Sequence, residues 1–361
     1  MYRREFIHLR QLAQAAGQIP GPFSWLPAIS DESESDSDVA LIRLARRCMA
    51  TTFEVVLPYG TPRAVEIGQA AFAQLDTLEA QLTVYRDMSD VCHLNRIAPY
   101  QPVVVEEGLF GLLQLAESIS ARTQGAFDIT AGTLIKAWGF FRGPRGVPVE
   151  ADRLRALEHT GMHHVELDAE KGSVRFHRPG LELNLGSIGK GYAIDRVAAS
   201  LRADRGLSTV LLQGGSSSVY AGGCPTSDRR GWAVDLRHPW QPGQHLGRFW
   251  LRDRGLGTSA ATFQYIEHDG RKLGHVLDPR TGWPASGIAS ASVVAPTAAE
   301  ADALSTAFFV GGVELARAVC SDRPEIGAVL LPEGDNAETV VLNLSRATYS
   351  LPAAARACAN Q

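Results

Sequence analysis

The sequence predicts an α+β fold: one domain with mixed or antiparallel β-sheets flanked by helices. Three observations carry that prediction. Strand-like runs are short and separated by hairpin-type turns. Two long segments repeat apolar residues at helical spacing. Helices and strands do not alternate as a regular βαβ array would. At 361 residues and 45% hydrophobic content the chain has material for a large core, and it is too apolar to be disordered. Its 35 Gly and 19 Pro argue against a coiled coil.

Residues 1–38 read as a leader and linker rather than as fold. Arg3-Arg4-Glu5-Phe6-Ile7 has the look of a twin-arginine export signal, which points to a periplasmic or membrane-associated protein. His8, Arg10, Gln11 and Gln14 interrupt the apolar stretch such a signal needs, so a degenerate signal or a plain N-terminal helix, with a cytoplasmic protein, is the alternative. The acidic and Ser-rich run from Asp31 to Asp38 repels itself and reads as a solvated linker. The folded domain is expected over 39–345, with a tail over 346–361.

Within the domain, Met49 to Leu57 reads as the first strand. Pro62 opens a long helix with Ile67, Ala71, Leu75, Leu78 and Leu82 on one face. A second helix shows Leu109, Leu112, Leu113, Ala116 and Ile119. Val165-Glu166-Leu167 and Val174-Arg175-Phe176 form a hairpin closed at Gly172, and Leu181 to Leu185 is a further strand. Ile194, Val197 and Leu201 mark a helix stopping near Gly206, followed by a buried strand at Val210-Leu211-Leu212. Strands are expected at Trp232–Leu236, Phe263–Glu267, Ser292–Val294 and Ala328–Leu331, and a helix over Ala298–Phe309.

Four segments could carry chemistry. Asn184 to Tyr192 joins a strand to a helix through Gly186, Gly189 and Gly191, and Lys190 adds a positive charge beside the helix amides. That suits an anion, and equally a tight turn with a solvated Lys; the spacing fits neither a Walker loop nor GxGxxG. Asp302 and Thr306 lie four apart on one helix face, as two hard oxygen ligands for Mg²⁺ or as an internal hydrogen bond. His275 could be a general base, and Asp278-Pro279 beside it starts a turn. Gly125-Ala126-Phe127-Asp128 could line a cofactor pocket. Gly214 to Ser218 could touch a phosphate but reads rather as a flexible loop, and Trp138 and Trp283 could stack on a ring but read rather as packing residues.

A formal net charge of -4 gives no basic footprint for nucleic acid. No uninterrupted apolar run reaches the roughly 18 residues of a transmembrane span. The five Cys are far apart and odd in number, which fits free thiols better than a disulfide or zinc framework.

Taken in order, these segments resemble the ApbE family. The matching pieces begin with Met49-Ala50-Thr51-Thr52-Phe53, Leu82 to Arg86 with Ser89 and Asn95, and Gly125 to Thr130 with Trp138. Leu183 to Asp195, Gly214-Gly215-Ser216, Thr258-Ser259, His275 to Pro279 and Ala301 to Thr306 complete the set. No single piece decides; their order does. The resemblance implies a Mg²⁺-dependent enzyme that cleaves FAD, transfers FMN to a Thr or Ser hydroxyl of a target flavoprotein and releases AMP. It places FAD contacts on Met49, Tyr85, Ala126, Phe127, Asp128, Asn184, Lys190 and Leu277. It places metal ligands on Asp302, Thr306 and Ser187, and catalysis on His275 with Asp278. Gly186, Gly189, Gly191, Gly214 and Gly215 are expected where backbone approaches the pyrophosphate.

Three positions depart from the family pattern: Asn184 stands where Asp is usual, Ala50 where Gly is usual, and Ala260 follows Thr258-Ser259 where Gly is common. The Asn184 change removes a negative charge near the metal. Two other readings of the same pocket are an FAD pyrophosphatase with water as acceptor and a non-enzymatic FAD-binding protein.

Overall fold

The computed structural model describes residues 23–24, 39–226, 230–241, 243–260, 265–334 and 337–351. Apart from Phe23 and Ser24, the expected leader and linker lie outside the described residues, as does the tail beyond 351.

In chain order the strands are β1 (Phe23–Ser24), β2 (Leu41–Cys48), β3 (Thr51–Pro58), β4 (Val103–Val104), β5 (Val165–Asp168), β6 (Ser173–Phe176), β7 (Val210–Gly214), β8 (Ser218–Gly222) and β9 (Trp232–Arg237). They continue with β10 (His245–Leu251), β11 (Arg254–Ala260), β12 (Tyr265–His268), β13 (Arg271–Gly274), β14 (Ile288–Ala295), β15 (Gly327–Pro332), β16 (Val340–Leu342) and β17 (Tyr349–Ser350). The helices are α1 (Ala64–Leu82), α2 (Asp90–Ile97), α3 (Glu107–Arg122), α4 (Gly132–Ala137), α5 (Glu150–Glu158), α6 (Gly189–Arg205) and α7 (Ala298–Asp322).

An antiparallel sheet of order β16-β15-β14-β11-β8-β7-β3-β2 forms the spine, and a four-stranded sheet, β1-β9-β10-β17, covers one face of it. Helices α1, α6 and α7 pack on the other. Alternation along the strands separates the two cores. Val55 and Leu57 face the helices while Val56 faces the second sheet; Val210 and Leu212 divide from Leu211 in the same way. A sheet covered on both sides has no wet face, which is why these strands read as continuous apolar runs. The antiparallel, helix-flanked α+β expectation holds.

Both apolar helix faces read from the sequence are buried in α1 and α3. Leu181–Leu185 is not a strand. Pairing stops at an isolated parallel bridge between Glu182 and Ala131, made by the Asn184 amide to Ile129 and the Gly132 amide to Glu182, while Asn95 bonds both backbone groups of Leu183. The strand expected from Met49 as the domain's first is β3 and starts at Thr51, after β2, because Met49 and Ala50 form the β2–β3 turn with φ of 48° and 59°. Phe23 and Ser24 pair with β9, and Tyr349 and Ser350 with β10, so paired chain reaches beyond 39–345 on both sides.

Helix α7 extends past the expected Phe309, with a break at Gly312 (φ 77°). By length and composition it could cross a membrane, at a mean hydropathy of 1.4. Here it is a core helix, buried along Ala298 to Phe309 against β11 and β14. Its N-terminus is capped from outside. Asp195 on α6 accepts the Ala298 and Ala299 amides, each at 2.8 Å, and Thr297 accepts Glu300 at 3.2 Å. Burial pushes the Asp195 carboxyl up to about 7, against those amide bonds. Asp195→Ala leaves two buried amides without this acceptor and is expected to destabilise by about 3 kcal/mol, read from the urea midpoint. An unchanged midpoint would show that α7 does not depend on this cap.

Candidate active site

A cavity of about 450 Å³ lies where α7, the turn before α6, the end of β11 and the β7–β8 hairpin converge, closed on the far side by α4 and the Val276–Leu277 segment. Eleven of the thirteen expected site residues line it: Tyr85, Ala126, Phe127, Asp128, Asn184, Ser187, Lys190, His275, Leu277, Asp302 and Thr306. Met49 and Asp278 do not. Met49 sits in the β2–β3 turn, its amide bonded to Glu79 at 2.9 Å. Asp278 organises its own turn: its carboxylate accepts from the Arg280 amide and guanidinium at 2.8 to 2.9 Å.

Asp302 is the buried charge of the site. Its Oδ2 accepts from Gly191 N–H and Ser218 Oγ, both at 2.8 Å; among the described residues Oδ1 receives no hydrogen bond. Burial pushes its carboxyl up to about 6, opposed by Lys190, Ser218 and Gly191. Thr306, one turn on, donates to the Asp302 carbonyl at 3.2 Å and lies 3.2 Å from Ser259 Oγ. The internal hydrogen bond and the shared face are therefore both present. A carboxylate with a free oxygen, a hydroxyl and the Ser187 turn converge on one cavity, a donor set of hard oxygens that suits Mg²⁺.

The turn before α6 does less anion work than the sequence suggests. Asn184 Oδ1 takes the Gly186 amide, the Leu185 carbonyl takes those of Ile188 and Gly189, and Asp302 takes that of Gly191. Charge on a phosphate here falls to the Lys190 side chain and to hydroxyls. Of the glycines expected at the pyrophosphate, only Gly186 lines the cavity. Gly191 instead packs on α7, Gly214 on the Phe53 ring and Gly215 on Thr51.

Asp128 is also more structural than expected. Its half-buried carboxylate accepts from the Thr130 amide and hydroxyl and from the Met162 amide, pinning the cavity wall to the turn at Met162–His164. Burial raises its carboxyl above the ordinary value. Trp138 packs as expected, its indole donating to Gly282 at 2.9 Å.

For the serines the sequence favours a loop over a phosphate contact, and the structure corrects the loop. Gly214 to Ser218 is a tight hairpin rather than a flexible loop; Ser216 and Ser217 line the cavity, and Ser218 holds Asp302. Three Ser in a row after a Gly pair was the available signal. A second group of ligand-type side chains, Cys48, Asp76 and Glu79, has its ligand atoms within 4.8 Å of one another. Arg46 and Arg86, the Met49 amide and the Cys48 thiol already engage those carboxylates.

The ApbE family model matches residues 49–330, which contain every residue of this cavity. The chain belongs to the ApbE family. A relative named FAD:protein FMN transferase from Treponema pallidum is 32% identical, over 76% of this chain and 80% of its own. One of the same name from Klebsiella pneumoniae is 31% identical, over 74% and 77%. The flavinyl transferase ApbE of Pseudomonas stutzeri, a solved structure, superposes with a TM-score of 0.74 at 27% identity, covering 85% of this chain and 98% of that one. The α+β architecture built above is thus the ApbE architecture.

Proposed function

We propose that this ApbE-family chain transfers FMN from FAD to a Thr or Ser hydroxyl of a partner flavoprotein, releasing AMP. The observation that carries the reading is the convergence of Asp302, Thr306, Ser187, Lys190 and His275 on one cavity. Lys190 and the hydroxyls of Ser216 and Ser217 hold the pyrophosphate, and the apolar wall of Ala126, Phe127 and Leu277 receives the rings. Asp302, Thr306 and the Ser187 carbonyl are the residues to hold Mg²⁺, which when bound neutralises pyrophosphate charge. His275 accepts the proton of the acceptor hydroxyl as its oxygen attacks the FMN phosphorus. The P–O bond to AMP breaks, and AMP departs with the bridging oxygen. Asn184, bonded to Gly186, keeps the turn without adding a second charge beside Asp302.

The test is incubation with FAD, Mg²⁺ and a candidate acceptor flavoprotein. The expected result is an acceptor heavier by one FMN and AMP in equal amount. His275→Ala is expected to slow transfer at least about a hundredfold with FAD affinity retained. Free FMN and AMP with no labelled acceptor would make the chain a pyrophosphatase; FAD left intact in excess Mg²⁺ would make it a binding protein. We also read the Arg3-Arg4 leader as an export address, and a reporter carrying residues 1–40 that stays in the cytoplasm would overturn that reading.

A further inference from the structure

The cavity mouth carries a basic, aromatic lip whose cations Arg142 and Arg145 the transfer chemistry leaves unused. From Ile129 to Val149 the chain has Lys136, Arg142 and Arg145 and no carboxylate, in a protein whose net charge is -4. Tyr85, on the cavity wall, stacks on Phe141 with ring centroids 4.8 Å apart and planes 11° from parallel. The Arg142 guanidinium lies 5.1 Å from the Phe141 centroid and 5.9 Å from that of Tyr85, and donates to the Tyr85 carbonyl at 2.9 Å. Arg145 lies 6.0 Å from the ring of Phe140, a second wall residue, whose other neighbour is the His275 ring at 6.4 Å.

Charge pairing separates these cations. Lys136 is engaged by Glu182 at 2.6 Å and Arg86 by Glu79 at 3.6 Å. Arg142 and Arg145 are exposed and, among the described residues, neither pairs with a carboxylate. Aromatic faces hold both guanidiniums in place, so little side-chain freedom is lost when an anion arrives from outside.

We propose that this lip docks the acceptor polypeptide through carboxylates that flank the acceptor hydroxyl. The identity of the partner rests on the transferase reading above; its chemistry rests on the lip. By way of the Phe140 ring, Arg145 stands within about 12 Å of His275. An extended chain covers that in three or four residues, so the acid sits within about four residues of the hydroxyl that His275 deprotonates.

The experiment uses fluorescein-labelled 15-residue peptides with one central Thr, bearing either Asp or Lys at the third and fourth positions on each side. Binding to the full-length, FAD-loaded protein is read by anisotropy at low and high salt, and FMN attachment by mass. The Asp peptide is expected to bind, to weaken with salt, and to lose about tenfold in affinity in the Arg142→Glu, Arg145→Glu double variant, with FAD affinity unchanged. The proposal is overturned if the Asp and Lys peptides bind alike, or if the double variant binds the Asp peptide as the parent does. It is equally overturned if the double variant loses FAD affinity in parallel, since the guanidiniums then serve the dinucleotide. Arginine-dependent binding without FMN attachment would support the docking lip and count against the transferase reading; attachment at equal efficiency to both peptides would do the reverse.

Discussion

Asp302→Ala is expected to reduce FMN transfer by at least about a thousandfold, because it removes the one buried carboxylate at the cavity's oxygen cluster. Two contributions are mixed in that loss. The carboxylate supplies charge, and its Oδ2 also anchors Gly191 of α6 and Ser218 of β8. Asp302→Asn separates them, since an amide oxygen still accepts both hydrogen bonds without the charge. The Asn variant is expected to lose nearly as much activity as the Ala variant while melting at or above the parent temperature. The stability sign follows from burial, which raises this carboxyl from its ordinary value to about 6. The protonated form is favoured in the fold, so Asp302 withdraws stability as pH rises through the interval up to about 6. A neutral amide escapes that loss at neutral pH. On the metal reading proposed above, a proton and a divalent cation compete for the same oxygens, so the Mg²⁺ needed for half-maximal transfer should rise about tenfold per pH unit below about 6. Full activity of Asp302→Asn at ordinary Mg²⁺ would remove Asp302 from the metal set.

What was legible in the chain depended on how local its cause was. The α1 and α3 faces and the Val165–Phe176 hairpin follow from spacing alone, and each stands in the structure where the spacing puts it. The cavity residues were legible because the segments bearing them carry recognisable motifs, although nothing local says that residues near 85, 127, 190, 275 and 302 meet. The misreadings share a cause in tertiary context. Leu181–Leu185 has strand-like composition, but Asn95, 88 residues away, claims its backbone. Ser218 looks like loop and holds Asp302 across 84 residues. The edge strands β1 and β17 were invisible because two residues cannot show a period.

Gly191→Ala is expected to be the most damaging single methyl group in the protein's working centre. A Cβ built at Gly191 falls 2.2 Å from the Ala298 carbonyl oxygen and 2.6 Å from the Ala299 nitrogen. Both are backbone atoms, so no rotamer change relieves the clash, and α6 must move away from α7. From the other side β11 offers no room: Cβ atoms at Gly255 and Gly257 would fall 2.4 Å from the backbone of Thr297 and Ala301. Three glycines thus clamp the first turns of α7, and that clamp sets where Asp302 and Thr306 enter the cavity. Separation of the helices also stretches the Gly191–Asp302 bond and the Asp195 cap. The expected cost is about 3 kcal/mol or more, seen as a melting temperature lower by roughly 5 to 10 °C. Transfer per folded molecule should fall by about a hundredfold, the penalty for displacing a catalytic group by roughly 1 Å. The sign of the stability change is diagnostic. Gly→Ala in an open helix raises stability by about 1 kcal/mol, so a higher melting temperature for Gly191→Ala would mean that α6 and α7 are not held in backbone contact and that Asp302 owes its position to something else.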